Sequence, residues 1–403
     1  MLVVASSNAA VDNIVLRIHR EGIPDGHGDI VRPRMMRLHR HGYDPTHPSV
    51  TQYLVNNLAR PYDEEERAHP SLTAKRLCAD ECIVFIGTSS SVGGAQFKEL
   101  RQDIDIIIHD EAANSLEAET LIPLTSSMHE DGNRRLFYFA IGDERQLPAT
   151  NFTPDMIEGS KLRLDLPFNM KTLTMSLFEG LVYGNRSTVS FLSAQYRMHP
   201  TISRIISPPF YQCLFHCPLP RERFLVGYNQ PSLHDTSFYP LTFIDTSGIV
   251  NRFETKEPGG QIFNNCEAHI VVDIITRLYN TMPEVNFNEQ ITVIAPYRAQ
   301  VEHIERAINN LLPGHQDQNT RDVRDIRVST IDSMQGNQSD VLIVCTTRSN
   351  RQGTVGFLDR SQRLNVAVSR ARYLNIIIGD ISSLNGRRPV EDLMHIYLSL
   401  IHI

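Results

Sequence analysis

Asp105-Ile106-Ile107-Ile108-His109-Asp110-Glu111-Ala112-Ala113-Asn114 is the stretch on which the reading of this chain turns. Ile104 to Ile108 form a short, β-branched, apolar run, the pattern of a strand buried on both faces of a parallel sheet. Two adjacent carboxylates follow at once. In open α/β sheets ligands bind at the carboxyl ends of strands, so a pair of acids there can meet a bound ligand. Asp110 would hold Mg²⁺ beside nucleotide phosphates, and Glu111 would orient and deprotonate an attacking water. A strand running into a solvated turn has the same local signature, so the rest of the chain decides.

Outward from that stretch, 403 residues are enough for two or three domains with a substantial core. A hydrophobic fraction of 41% and a charged fraction of 21% describe an ordinary globular chain. The net charge of −7 means that any nucleic-acid surface must be local. Lysine is confined to Lys75, Lys98, Lys161, Lys171 and Lys256, so the other cations are arginines. The six cysteines do not make a disulfide framework; Cys78/Cys82 and Cys213/Cys217, each spaced four apart, read as semi-buried thiols rather than half zinc sites. No apolar run reaches membrane-spanning length, and Met1–Ala5 lacks the charged lead of a signal peptide. The default expectation is an intracellular protein, nuclear or cytoplasmic, without a membrane partner.

Met1–Ala5 reads as a buried strand that enters the polar turn Ser6–Asn8 and then a helix. A chain that opens inside a strand–helix unit looks cut. Residues 20 to 75, punctuated by Gly26, Gly28, Pro33, Pro45, Pro48 and Pro61, are expected to be an irregular insertion with one or two short helices. Cys82–Thr88 is a strand ending in the Thr88–Gly94 loop. A helix is expected near Leu116–Leu124, then the strand Arg135–Ile141 and its loop Gly142–Pro148. This alternation predicts a parallel sheet with crossovers. A second cycle starts near Ser187. It has a helix at Ile202–Ile206, an irregular Pro208–Gly260 broken by the strand Leu241–Ile244, and a helical pattern over Asn264–Tyr279. Strands follow at Ile291–Ala295, Val328–Thr330, Val341–Thr346 and Leu374–Gly379, with helices at Gln300–Leu312 and Leu364–Arg372. The expected domains are 1–186 and 187–403.

Taken in order, the loops of these strands resemble the motifs of superfamily 1 helicases, in the Upf1-like branch that includes the nonsense-mediated-decay helicase and senataxin-type enzymes. Ser7–Asp12 resembles motif Ia, Asp110–Ala113 motif II and Gly142–Pro148 motif III. Gln195–Pro200 resembles motif IV, Ser329–Gly336 motif V and Arg363–Arg372 motif VI. The resemblance covers nearly the whole chain and implies an α/β fold of two tandem RecA-like domains, the P-loop NTPase fold, acting with ATP and Mg²⁺ on single-stranded RNA or DNA. It assigns Asp110 to the metal, Glu111 to the water and Gln146 to the γ-phosphate. Arg197 and Arg370 would be arginine fingers from the second domain, effective only when the domains close on each other. Arg363 and Arg370, seven apart, would share a helix face. Tyr196 would stack on the base, and Gly336 and Gln338 would lie along the nucleotide. Ser7, Asn8, Thr88, Pro296, Tyr297 and Thr330 would meet nucleic acid through small polar groups suited to phosphate and sugar.

Three departures stand out. No lysine follows a glycine, so the Gly-Lys-Ser/Thr of a P-loop is absent from these residues. In the family that loop precedes motif Ia, where this chain begins; the expectation is a truncated first domain in a fragment or a degenerate copy. Asn114 stands where the family usually has Gln, and Gln338 where it usually has a ribose-binding Glu, with loss of the charge-assisted part of that bond. Two functions remain open: an ATP-driven helicase or translocase, and a non-hydrolysing nucleic-acid- or protein-binding remnant of one. A nuclease built on the paired acids would leave Gln146, Arg197 and Arg370 without a task. The truncation further predicts that the strands around Leu2–Val4 and Ile104–Ile108 lose their neighbour and expose their apolar faces.

Overall fold

The apolar runs pair as parallel strands in two separate sheets. The structure, a computed structural model, describes residues 1–40, 42–43, 45, 47–63, 70–100, 103–127, 135–149, 175–184, 189–218, 239–281, 287–311 and 326–384. The chain divides into two compact units, one of Met1–Glu144 with Pro148–Val189, the other of Arg145–Leu147 with Ser190–Ile403.

In the first unit β1 (Leu2–Ala5), β4 (Met35–Arg37), β5 (Val84–Thr88), β6 (Ile106–Asp110) and β7 (Phe137–Ala140) form a parallel sheet in the order β4-β5-β1-β6-β7. A small hairpin, β2 (Ile23–Pro24) and β3 (Ile30–Val31), stands apart from it. Leu2 and Val4 face one apolar cluster with Ile107, Met36 and Phe85; Val3 and Ala5 face the other with Val11, Val15 and Ile86. Burial of both faces of β1 and β5 explains why they read as continuous apolar runs.

Two expectations for this unit are corrected. Met35–Arg37 was hidden in a region that reads as irregular, yet it is a fully buried strand of the main sheet. Its three residues are too few to show a period beside Pro33 and Arg34. The Ile104–Ile108 strand is not left without a neighbour, since β6 pairs with β1 on one side and β7 on the other. Leu2, Val4 and Ile107 have no solvent exposure. On β6 itself Ile106 is 36% exposed and Ile108 half-buried, as the expectation has it, and more apolar surface lies on and just after β7, where Phe137, Phe139 and Ile141 are 54%, 55% and 48% exposed. Among the described residues β7 pairs only with β6.

The second unit holds β8 (Leu241–Asp245), the hairpin β9 (Thr255–Lys256) and β10 (Ile262–Phe263), β11 (Ile291–Ala295), β12 (Arg327–Thr330), β13 (Ser339–Cys345) and β14 (Ala371–Gly379). Its main sheet runs β12-β11-β13-β14-β8, again all parallel. The helices Asn265–Thr281 and Arg298–Leu311 cover one face through Val271, Ile275, Ile304 and Ile308, while Pro200–Tyr211 and Ser361–Ser369 serve the cluster on the other. The Pro200–Tyr211 helix continues through Pro208 and Pro209, beyond the expected Ile206, because Ile202, Ile205, Ile206 and Phe210 are buried along it. The other part of the Pro208–Gly260 reading, residues 219–238, lies outside the described residues.

Candidate functional site

The acidic turn is shaped by backbone geometry. Asp110 ends β6, and Glu111 adopts a left-handed conformation with φ 53°, unusual for a residue with a β-carbon. Such strain persists only where the surroundings hold it. Here Ala112 N donates to Ile141 O at 2.8 Å, tying the turn to the end of β7. Gly142 is the residue that permits this approach, since a β-carbon there would lie 2.9 Å from Ala113 N. His109 braces the strand from behind: its ring nitrogens meet Tyr138 Oη at 3.0 Å and Ser115 Oγ at 3.1 Å. Burial lowers the His109 pKa to about 4, so the ring is neutral and bridges as one donor and one acceptor.

Burial also raises the Asp110 carboxyl above its ordinary range, against a backbone hydrogen bond at Glu111 that lowers it. A cation would reverse that penalty. Asn114 donates from Nδ2 to Glu111 Oε2 at 3.3 Å, while its Oδ1 is buried without a hydrogen-bond partner. Among the described residues no three His, Cys, Asp or Glu gather into a metal cage. This donor set fits Mg²⁺, which usually takes one or two carboxylates and completes its shell with water and phosphate oxygens.

Within the second unit, Gln146, Arg197 and Arg370 come together. Arg370 follows the Ser361–Ser369 helix, is 1% exposed, and donates from Nη2 to Gln146 Oε1. Arg197 Nη1 lies 3.5 Å from Ser369 O, one residue from Arg370. The turn carrying Arg197 is folded by Gln195, whose Oε1 accepts from Arg197 N and Met198 N at 3.1 and 2.8 Å. The Arg145–Leu147 segment packs here too: Arg145 Nη1 donates to Phe210 O at 2.6 Å, Asn365 Nδ2 donates to Arg145 O at 2.9 Å, and Leu147 enters the core. Arg363 has different partners from Arg370: it meets Asp332 through Nε and Nη2 at 3.2 and 3.3 Å.

The remaining candidates fall into separate groups. Tyr196 is 66% exposed. Gly336 has φ 72° at the turn before β13, and Gln338 is exposed just beyond it. Ser7 caps the Asn8–Glu21 helix, its Oγ accepting from Ala10 N at 3.2 Å. Thr88 is buried and its Oγ1 accepts from Ser91 N at 3.2 Å, leaving Ser90 as the exposed hydroxyl of that loop. Thr330 Oγ1 donates to Ser333 Oγ at 3.2 Å. Pro296 and Tyr297 are half-buried in the turn after β11.

Sequence reasoning missed the groups that hold these residues. Arg37 is fully buried, pairs with Asp12 Oδ1 at 3.0 Å and donates from Nη2 to Asn8 Oδ1 at 2.9 Å. With its carbonyl so engaged, exposed Asn8 has its amide N–H groups to offer. Tyr43 adds a hydrogen bond to Asp12 and a ring beneath the Arg37 guanidinium. Arg348 Nη1 and the Phe357 amide, which donate to the Tyr297 hydroxyl at 3.2 and 3.3 Å, were missed likewise. A lone Arg in a loop gives no local signal of its partners.

Two parallel sheets of this order, the first carrying a pair of acids at the end of β6, define a tandem RecA-like α/β architecture. AAA-domain family models match residues 173–382, more than half of the chain, and 62–154. The chain belongs to this AAA-domain family, in the Upf1-like branch of superfamily 1 helicases. It is 29% identical to a probable helicase of Dictyostelium discoideum over 98% of this chain and 39% of that protein. It is 29% identical to DNA-binding protein SMUBP-2 of Rattus norvegicus over 84% of this chain and 31% of that one. The chain thus spans well under half the length of these relatives. The arterivirus nonstructural protein 10 helicase is similar over 98% of this chain and 55% of its own, with 11% identity and a TM-score of 0.40.

Proposed function

We propose that this chain carries the motor residues of an ATP-dependent helicase or translocase acting on single-stranded RNA or DNA. The observation that carries the reading is the cluster of Gln146, Arg197 and Arg370, linked by one side-chain hydrogen bond and by Ser369. An amide and two guanidiniums brought this close offer the kind of donors that phosphate oxygens accept. In this reading Asp110 holds Mg²⁺, which when bound neutralises charge on the transferring phosphoryl group. Glu111 orients the water and takes its proton, Gln146 holds that water against the γ-phosphate, and Arg197 and Arg370 stabilise the developing charge. Tyr196 stacks on the base, and Gly336 and Gln338 flank the nucleotide. Ser7, Asn8, Thr88, Pro296, Tyr297 and Thr330 meet the nucleic-acid backbone. The names of the relatives, a probable helicase and a DNA-binding protein, support this assignment.

The test is binding of fluorescent oligo(U) and oligo(dT) by anisotropy, together with ATP hydrolysis. Single strands should bind, with a salt dependence shallower than that of a basic groove, because the contacts offered are mostly neutral. No binding of either strand overturns the reading. A second reading, a binding protein that does not hydrolyse ATP, is favoured by one observation: these 403 residues contain no Gly-Lys-Ser/Thr. Strand binding without hydrolysis by the protein expressed from its own gene would select it.

A further inference from the structure

Cys78 and Cys82 stand four positions apart where a helix hands over to a strand. The helix Leu72–Asp80 carries Cys78 in its last turn, and Cys82 lies two residues before β5. Cys78 has no solvent exposure and packs in the apolar cluster with Leu2, Met36 and Phe85, whereas Cys82 is half-buried beside that cluster. Cys82 N donates to Ala79 O at 2.9 Å, so the chain stays coiled past the helix end and brings Cys82 back over Cys78. There Cys82 Sγ donates to Cys78 O at 3.4 Å, and the two thiols hydrogen-bond to each other. That bond between the thiols holds Cys78 below its usual range against the effect of burial, while the same bond and then burial push Cys82 up.

The turn is anchored beyond the cysteines. Ile83 N and Val84 N donate to Arg34 O at 2.9 and 3.3 Å, and Arg34 pairs with Glu81 and donates from Nη2 to Tyr62 Oη at 2.9 Å. The other pair with this spacing is built differently. Cys213 is exposed with φ 61°, and Cys217 Sγ donates to Met198 O at 3.7 Å. A metal has too few ligands here, since among the described residues no three His, Cys, Asp or Glu gather to hold one.

Sulfurs that share a hydrogen bond need little movement to share a covalent bond. Residues one helical turn apart have Cα atoms about 6 Å apart, within the span of about 4.4–6.8 Å that a disulfide bridges. We propose that Cys78 and Cys82 are a reversible redox pair, closed into an intramolecular disulfide by exchange with a small disulfide of the glutathione type. This goes beyond the function proposed above and does not rest on it. Cys82, which solvent reaches, attacks one sulfur of the small disulfide. A bond from Cys82 to glutathione forms, and the other glutathione leaves with the electron pair of the broken bond and the Cys82 proton. Cys78 then attacks the Cys82 sulfur, forming the Cys78–Cys82 bond and releasing the second glutathione, which takes the Cys78 proton. Two protein thiols are oxidised, and one small disulfide is reduced to two thiols. The closed bond pins the end of the helix to the entry of β5.

Because the fold holds the sulfurs together, the folded chain should close this bond more readily than the unfolded chain does. The test equilibrates the chain with reduced and oxidised glutathione, quenches it with acid, alkylates the remaining thiols after unfolding and digests it with trypsin. Residues 77–98 then form one peptide, bounded by Arg76 and Lys98, whose cysteines are Cys78 and Cys82 alone. The disulfide reads as that peptide without alkyl groups and lighter by two hydrogens. At one glutathione ratio, disulfide over dithiol should be about tenfold higher in the native chain than in urea. Cys82→Ser should leave Cys78 reduced in the native chain, since the point of entry is gone. A ratio no higher in the native chain than in urea overturns the proposal, as does a peptide that keeps glutathione on Cys82 without closing. Oxidation of Cys78 in Cys82→Ser to the wild-type extent overturns it too. If Cys82→Ser does not fold, the peptide ratio alone decides. All of these readouts stand whether or not the chain binds a strand or ATP.

Discussion

Arg370 donates from Nη2 to Oε1 of Gln146, a residue 224 positions earlier in the chain. The hydrogen bond holds the guanidinium at the end of its helix with an acceptor that a phosphate oxygen can replace. Arg370→Ala, in the protein expressed from its own gene, should lower kcat for ATP by about 10³-fold or more while strand affinity stays within about twofold. Arg370→Lys should not restore the rate, because an ammonium lacks the planar fork. Steady-state ATPase assays check this, and a kcat within about twofold of wild type removes Arg370 from the role.

A polypeptide of these 403 residues contains no P-loop lysine, and acids, amide and arginines alone do not cradle a triphosphate. Such a polypeptide should show no strand-stimulated phosphate release. Release that Glu111→Gln abolishes would show the cradle to be dispensable.

The first sheet should tolerate change at β7 and not at β6. Ile107 is fully buried between paired strands, whereas Phe139 is 55% exposed. Ile107→Ala should cost about 2–5 kcal/mol in urea unfolding. Phe139→Lys should stay within about 0.5 kcal/mol and reduce self-association, as charge on an exposed strand does. Hydrogen exchange gives a second check: Ile107 and Ile108 should be protected as strongly as Ile343 and Val344. Weak protection of β6 would restore the expectation that this sheet is broken at its centre.

Glu267 supplies a pH dependence in the second unit. The carboxyl is fully buried, and burial above all raises its pKa from 4.5 to about 8, although hydrogen bonds from Thr347 N and the Thr346 hydroxyl pull it down. The folded state therefore binds this proton more tightly than the unfolded chain does. Its stabilising effect is complete below the unfolded pKa of 4.5 and is lost as pH rises toward about 8. Within that window it contributes a slope approaching about 1.4 kcal/mol per pH unit. Glu267→Gln mimics the protonated form and should flatten the fall of the unfolding midpoint with pH. An unchanged slope would place the dependence elsewhere.

Much of the fold was legible because strands buried on both faces leave continuous apolar runs, as at Leu2–Ala5, Val341–Cys345 and Leu374–Gly379. What escaped reading depended on long-range partners. Met35–Arg37 is a strand because β5 pairs with it, and no periodicity in three residues announces that. Pro208 and Pro209 normally end a helix, but buried neighbours hold them within one. At the site, the acids were visible as residue types at the end of a strand, whereas Gln146, Arg197 and Arg370 were named only through the motif resemblance. The groups that orient them, Arg37 under Asn8 and Arg348 under Tyr297, lie 29 and 51 positions away from what they hold.

The central proposal is that Asp110, Glu111, Gln146, Arg197 and Arg370 each serve ATP hydrolysis driven by a single strand. The direct measurement is ATP turnover by the protein expressed from its own gene, with and without oligo(U) or oligo(dT), in wild type and Glu111→Gln. Turnover should rise at least about tenfold with either strand, and Glu111→Gln should lower it by about 10²-fold or more with strand binding intact. Turnover indifferent to both the strand and Glu111→Gln, or no turnover at all, would contradict the account.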